Sequence, residues 1–398
     1  MTIDNQNNSI VEYPFQNVDN TQPKLNRIPS LDILRGIALI LLTLNTSMVF
    51  LYKIPNTLDF FSFFSFWLTS LCFPVFAFLV GVTIYYRQFN KPKMKVFWYC
   101  LILGPLYILL DVLLISFGYT FNTNFNQFSI QILSTIGLGL LVLSIFLFLN
   151  LRFALIIGLI IFFCNNILFY FEPDGINLAW TSIIFGGTYI DGSLAFIFYP
   201  ALQILGVMLL GFYLGKMYSP SFSVEKRRKV FNYLSIGFFV LFFTLKIINN
   251  YGDIRTWSYQ KTIDATIAAF IKVSSTPPTL MYMCLVFGFV FMLLPKLENK
   301  ENKFFNFLKF IGKNAPLYTF LQLFFIHLIC MAFFYLKGGY ITYLMYKTYP
   351  LAYRIPDEGF NLAIVYLITL SLIILLYFIC LKLNKFILSI KQKLFGLL

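Results

Sequence analysis

RIPSLDILRGIALILLTLNTSMVF, residues 27–50, decides the fold. Its apolar run is long enough to cross a hydrocarbon core of about 30 Å, which takes about 20 helical residues. Yet an acid and a base, Asp32 and Arg35, stand three residues apart where that run begins. At about 100° per residue, Asp32, Gly36, Thr43, Thr46 and Ser47 project to one side, with Arg35 at the edge of the stripe, and Asn45 points away from it. Such a stripe makes either a seam for helix packing or the wall of a wet cavity. The Asp–Arg pair exceeds what packing needs, because a buried Asp holds an Arg so that its fork faces phosphate.

Working outward, apolar runs recur over the whole 398 residues, roughly at 31–52, 61–86, 96–117, 128–149, 153–171, 196–215, 230–249, 279–295, 316–336 and 362–381. Hydrophobic residues make up 59% and charged residues only 12% of the chain, about half the charge of a soluble domain. The expected fold class is therefore all-α, a polytopic integral membrane protein of about ten transmembrane helices. Three units are expected: a disordered cytoplasmic tail over 1–26, a single transmembrane domain over 27–383, and an amphipathic cytoplasmic tail over 384–398. With the N-terminus inside, 22 of the 30 lysines and arginines fall on the inner side, which satisfies the positive-inside rule with both termini cytoplasmic. The net charge of +14 is then a topology and lipid-headgroup signal and not a nucleic-acid one. The six cysteines lie inside spans without metal-ligand or disulfide spacing, so no metal is expected.

Few polar side chains interrupt the later spans. His327, the sole histidine, sits near the middle of the ninth and has the titration range of a general base; the alternative is a hydrogen-bonded contact between helices. Gln322 lies about 140° around that helix from it. Asp111 in the third span and Lys246 near the end of the seventh are buried-charge candidates, or members of structural ion pairs.

Four segments together resemble the heparan-alpha-glucosaminide N-acetyltransferase-like transmembrane acyltransferases. They are SLDILRGIALILLTL (30–44), FPVFAFLVG (73–81), YPALQILGVMLLGFYLGK (199–216), and the stretch from TPPTLMYMCLVFG (276–288) to IGKNAPLYTFLQLFFIHL (311–328). The resemblance implies transfer of an acetyl or short acyl group from cytosolic acetyl-CoA or another acyl-CoA to an extracytoplasmic acceptor, commonly a carbohydrate. It implies a CoA site at Asp32, Arg35, Lys313 and Asn314, catalysis by His327 with Thr46 or Gln322 as oxyanion donor, and acceptor contacts from Asn45, Asp59 and Asp111. Partners are then membrane lipids, acyl-CoA and the acceptor, in the cytoplasmic membrane. This chain departs from the family pattern where Thr46 replaces an Asn or His, where Gln322 replaces a first histidine, where Gln203 and Ile204 replace Pro-Trp, and in the first outer loop, which has no histidine. Those departures leave a second expectation open, a relative without acyl transfer that moves an amphiphile or lipid-linked sugar.

Overall fold

The structure, a computed structural model, describes residues 27–53, 59–89, 91–169, 183–186, 188–190, 195–339 and 359–395. The tail over 1–26 and parts of the segments expected on the outer side lie outside the described residues. Among those described, nine helical stretches are long and apolar enough to span a membrane, and a shorter apolar helix, Ile132–Phe146, completes the ten. The chain is an all-α polytopic membrane protein.

Helix α1 (Pro29–Leu51) begins with proline in its first turn, where the missing N–H costs nothing. The second span is two helices, α2 (Phe60–Ser70) and α3 (Phe73–Arg87), because the turn at Leu71–Cys72 precedes Pro74. The Ser70 carbonyl at that break is satisfied by the Tyr282 hydroxyl at 2.6 Å. The third span joins α4 (Lys93–Leu110), a π-helical turn (Asp111–Ile115) and α5 (Ser116–Thr120). Then follow α6 (Ile132–Phe146), α7 (Leu151–Leu168), α8 (Ala201–Leu214) with a 3-10 turn to Tyr218, and α9 (Val224–Ile248). Helix α10 (Ile263–Ile271) lies in the connection that follows α9. Beyond it come α11 (Leu280–Leu297), α12 (Lys303–Lys313), α13 (Ala315–Leu336) and α14 (Leu362–Phe395). Helix α14 continues without a break into the segment expected as a separate amphipathic tail.

Two expected spans are shorter than the apolar runs suggested. Residues 128–130 and 195–197 are strands, β1 and β3, and with β2 (Thr188–Ile190) they form a small sheet of order β1-β3-β2. β1 pairs parallel and β2 antiparallel to β3. Pro200 and Gln131 then start the helices that follow.

The four motif segments pair off through glycine. A Cβ on Gly36 of α1 would collide with the Leu308 carbonyl of α12, and one on Gly312 of α12 with the Asp32 carbonyl of α1. Likewise Gly81 of α3 abuts the Met208 carbonyl of α8, and Gly211 of α8 the Phe78 carbonyl of α3. Backbones approach this closely only where neither helix carries a side chain. The main core runs through α3, α8, α9 and α11.

Candidate functional site

Helix α1 carries polar groups at two levels. At its N-terminal end Arg35 Nη1 donates to Asp32 Oδ1 at 2.8 Å, and Nη2 reaches Thr83 Oγ1 of α3 at 3.5 Å. Asp32 is buried, and its Oδ2 has no hydrogen-bond partner. The Arg35 side chain stays 17% exposed, so its fork is fixed from behind and open in front. Lys313 is exposed one residue past Gly312, and Asn314 bridges Phe310 O (2.8 Å) and the Asn384 amide (2.7 Å).

Eight residues further along α1, Thr43 is fully buried between helices. Its hydroxyl lies 2.8 Å from Leu39 O, 3.2 Å from the Tyr318 hydroxyl and 2.5 Å from Gln322 Oε1. Thr43 shares its one proton between the oxygens of Leu39 and Gln322 and accepts from Tyr318. Asn314, which precedes α13, and Tyr318 and Gln322 on it recur every four residues, so one face of that helix links the two levels.

Above this network the bundle opens into a cavity of about 940 Å³. Asn45, Thr46 and Phe50 line it from α1; Phe63, Phe66, Trp67 and Ser70 from α2; Thr319 and Gln322 from α13. Tyr119, Gln131, Phe196, Phe198 and Tyr199 line it near the small sheet, and Lys272, Val273, Ser275 and Thr276 contribute from the segment after α10. Asn45 Nδ2 donates to Thr69 Oγ1 at 3.0 Å and Thr46 Oγ1 to Leu42 O at 2.9 Å. Gln322 Oε1 is taken by Thr43, while its Nε2 has no partner among the described residues. A chamber walled by aromatic rings and aliphatic side chains, with polar groups interspersed, has the form of a small-molecule site.

The remaining sequence candidates have other settings. His327 is buried outside the chamber lining, its Nδ1 3.3 Å from Gly118 O and its ring between Phe50 (5.1 Å) and Phe121 (4.6 Å). It stands behind Phe50. Asp111 Oδ2 accepts from the Gln131 and Ser134 amides at 2.9 and 2.8 Å; it caps α6, whose own N-cap side chain makes no such bond. Asp59 caps α2 through Ser62 N at 3.4 Å, and hydrogen bonding from Ser62 holds its carboxyl below the usual range. Lys246 is buried and donates to Lys272 O at 2.6 Å, with Asp253 at 3.6 Å.

Sequence reasoning missed Thr43 and Tyr318 as partners of Gln322. Thr43 was in the stripe, but a hydroxyl shared between helices 275 residues apart leaves no local signal. It also missed the aromatic walls, which come from α2 and the sheet.

These features define a polytopic membrane protein with a small-molecule-sized chamber bordered by the polar face of one helix. Comparison with known families matches residues 27–244, more than half of the chain, to the catalytic region of heparan-alpha-glucosaminide N-acetyltransferase. The chain belongs to that family of transmembrane acetyltransferases. No curated protein matches it. The matched region holds Asp32, Arg35, Asn45, Thr46, Asp59 and Asp111; Lys313, Asn314, Gln322 and His327 lie beyond it.

Proposed function

We propose that the chain moves an acetyl group from acetyl-CoA, bound at the Arg35 end of α1, to an acceptor in the chamber, with both termini and the Arg35 end on the cytoplasmic side. The observation that carries this reading is the arrangement on α1 and α13. A fixed, partly exposed guanidinium and a chamber lie at two levels of α1, with the Thr43–Tyr318–Gln322 network shared with α13 between them.

Arg35, backed by Asp32, offers a bidentate fork to CoA phosphate, and exposed Lys313 adds a second positive charge with Asn314 beside it. In the chamber the acceptor nitrogen attacks the thioester carbonyl. A C–N bond forms, the C–S bond breaks, and the amine proton leaves as the CoA thiolate is released and protonated. Gln322 Nε2 is the donor aimed at the developing oxyanion, and Asn45 Oδ1 and Thr46 orient the amine.

An amine suits this chamber better than a hydroxyl. Among the described lining residues none has an ordinary pKa near neutrality, and a neutral amine attacks without a general base. The acceptor is then an amino sugar or a similar amine on the extracytoplasmic side of the cytoplasmic membrane. His327 shapes the chamber through Phe50.

Equilibrium binding of acetyl-CoA to the purified full chain, wild type beside Arg35→Ala, tests the donor site. Saturable binding weakened at least tenfold by the substitution is expected. A folded wild type that binds no acetyl-CoA overturns the proposal and leaves translocation of an amphiphile as the reading of the chamber.

A further inference from the structure

The chamber's outer rim is held by an arrangement that acetyl transfer does not require. Two consecutive carbonyls at the C-terminal end of α10 are each held by a side-chain donor: Ile271 O by the half-buried Trp67 Nε1 at 2.9 Å, and Lys272 O by the buried Lys246 Nζ at 2.6 Å. Lys246 is in turn paired with Asp253, whose other carboxylate oxygen accepts from Ser274 N at 3.2 Å. The Lys246 charge is thereby neutralised where it stands. Trp257 Nε1 donates to Lys246 O at 2.7 Å and tightens the same knot.

These bonds fix the backbone of Lys272 while leaving its side chain exposed at the chamber wall. No ion pair or hydrogen bond engages its ammonium among the described residues. It is also the only charged side chain among the described residues that line the chamber. An ammonium beside low-dielectric aromatic walls attracts an anion more strongly than one in open water. Phe63, Phe66, Trp67 and Phe198 line the same chamber, and such rings accept an apolar body and not a string of hydrated charges.

We propose that the chamber accepts an anionic amphiphile, a molecule whose phosphate or carboxylate group rests on Lys272 while its apolar portion lies against the aromatic walls. The inference rests on the chamber being the acceptor site and names the class of acceptor: a membrane-borne anionic compound, in place of a free sugar or a soluble polyanionic chain. Lys272 is the residue that sets this specificity. Its structural work is done by its carbonyl, so replacing the side chain spares the fold.

Binding alone tests the idea, without any acetyl transfer, so that it fails separately from the proposed reaction. The full chain in phosphatidylcholine nanodiscs is titrated with octyl phosphate, octyl glucoside and inorganic phosphate, each also against Lys272→Ala and Lys272→Arg. Saturable binding of octyl phosphate is expected, about tenfold tighter than octyl glucoside, since a hydrogen bond to a charged group is worth roughly that factor. Lys272→Ala should bring the two octyl compounds within about twofold, and Lys272→Arg should restore the preference. Equal affinity for the two in the wild type, or a preference untouched by Lys272→Ala, overturns the assignment. Inorganic phosphate binding as tightly as octyl phosphate overturns it too, by reducing the site to one for a bare anion.

Discussion

The two ends of α1 are built on opposite principles. Near Arg35 the helix is pressed against α12 backbone to backbone, with Gly36 and Gly312 removing any side chain between them, and its polar groups are charged. Beyond Thr43 the same helix borders a cavity of about 940 Å³, where its polar groups are neutral amides and hydroxyls. The charged end is solid and the neutral end is hollow. Charge is tolerated in a membrane interior where it is paired and close to an aqueous edge, whereas a chamber that must admit and release ligands is better lined by groups that need no permanent partner. Stability should therefore reside at one end and chemistry at the other.

Four substitutions bear on that division, in falling order of expected effect. Gly312→Leu drives a side chain into the Asp32 carbonyl; a loss of about 3 kcal/mol or more, the upper range for overpacking, should appear as a collapse in thermal stability. A variant that melts like wild type would break the comparison at its solid end. Asp111→Ala strips the cap from α6 and leaves the Gln131 and Ser134 amides buried without an acceptor, at about 2–4 kcal/mol; Asp111→Asn, which keeps an acceptor oxygen, should recover much of it in the same melt.

At the hollow end the signature reverses. Gln322→Leu should lower kcat about a hundredfold, as removal of one oxyanion donor does, while costing only about 1 kcal/mol of stability. Unchanged turnover in that variant removes Gln322 from the reaction. Tyr318→Phe deletes one hydrogen bond to Thr43 and should cost about 1 kcal/mol or less, with a small change in turnover. A large loss of activity there would mean that the network between the two levels is part of the chemistry and would blur the division.

The spans and the polar stripe of α1 were legible because each is written in a local period. Thr46 and Gln322, expected at the site, do line one chamber; the helical angle that separated Gln322 from His327 also foretold that the two would not face the same space. Asn45 lay off the stripe in sequence, yet it borders the chamber because α2 leans on α1 and supplies Thr69 as its partner. The setting of Asp111 was not legible. Its acceptors are backbone amides at the start of another helix, and backbone leaves no trace in composition. The two short spans were hidden for a related reason, since an apolar strand and an apolar helix read alike over three residues.

The eight-residue interval between Arg35 and Thr43 has a further consequence. At 1.5 Å per residue it amounts to about 12 Å, against about 30 Å for the hydrocarbon core. Ligands met at the two levels are thus separated by less than half a membrane. On the proposed reaction, a donor held near Arg35 would need an arm of only about that length to bring its reactive end to the Thr43 level, without crossing the whole bilayer.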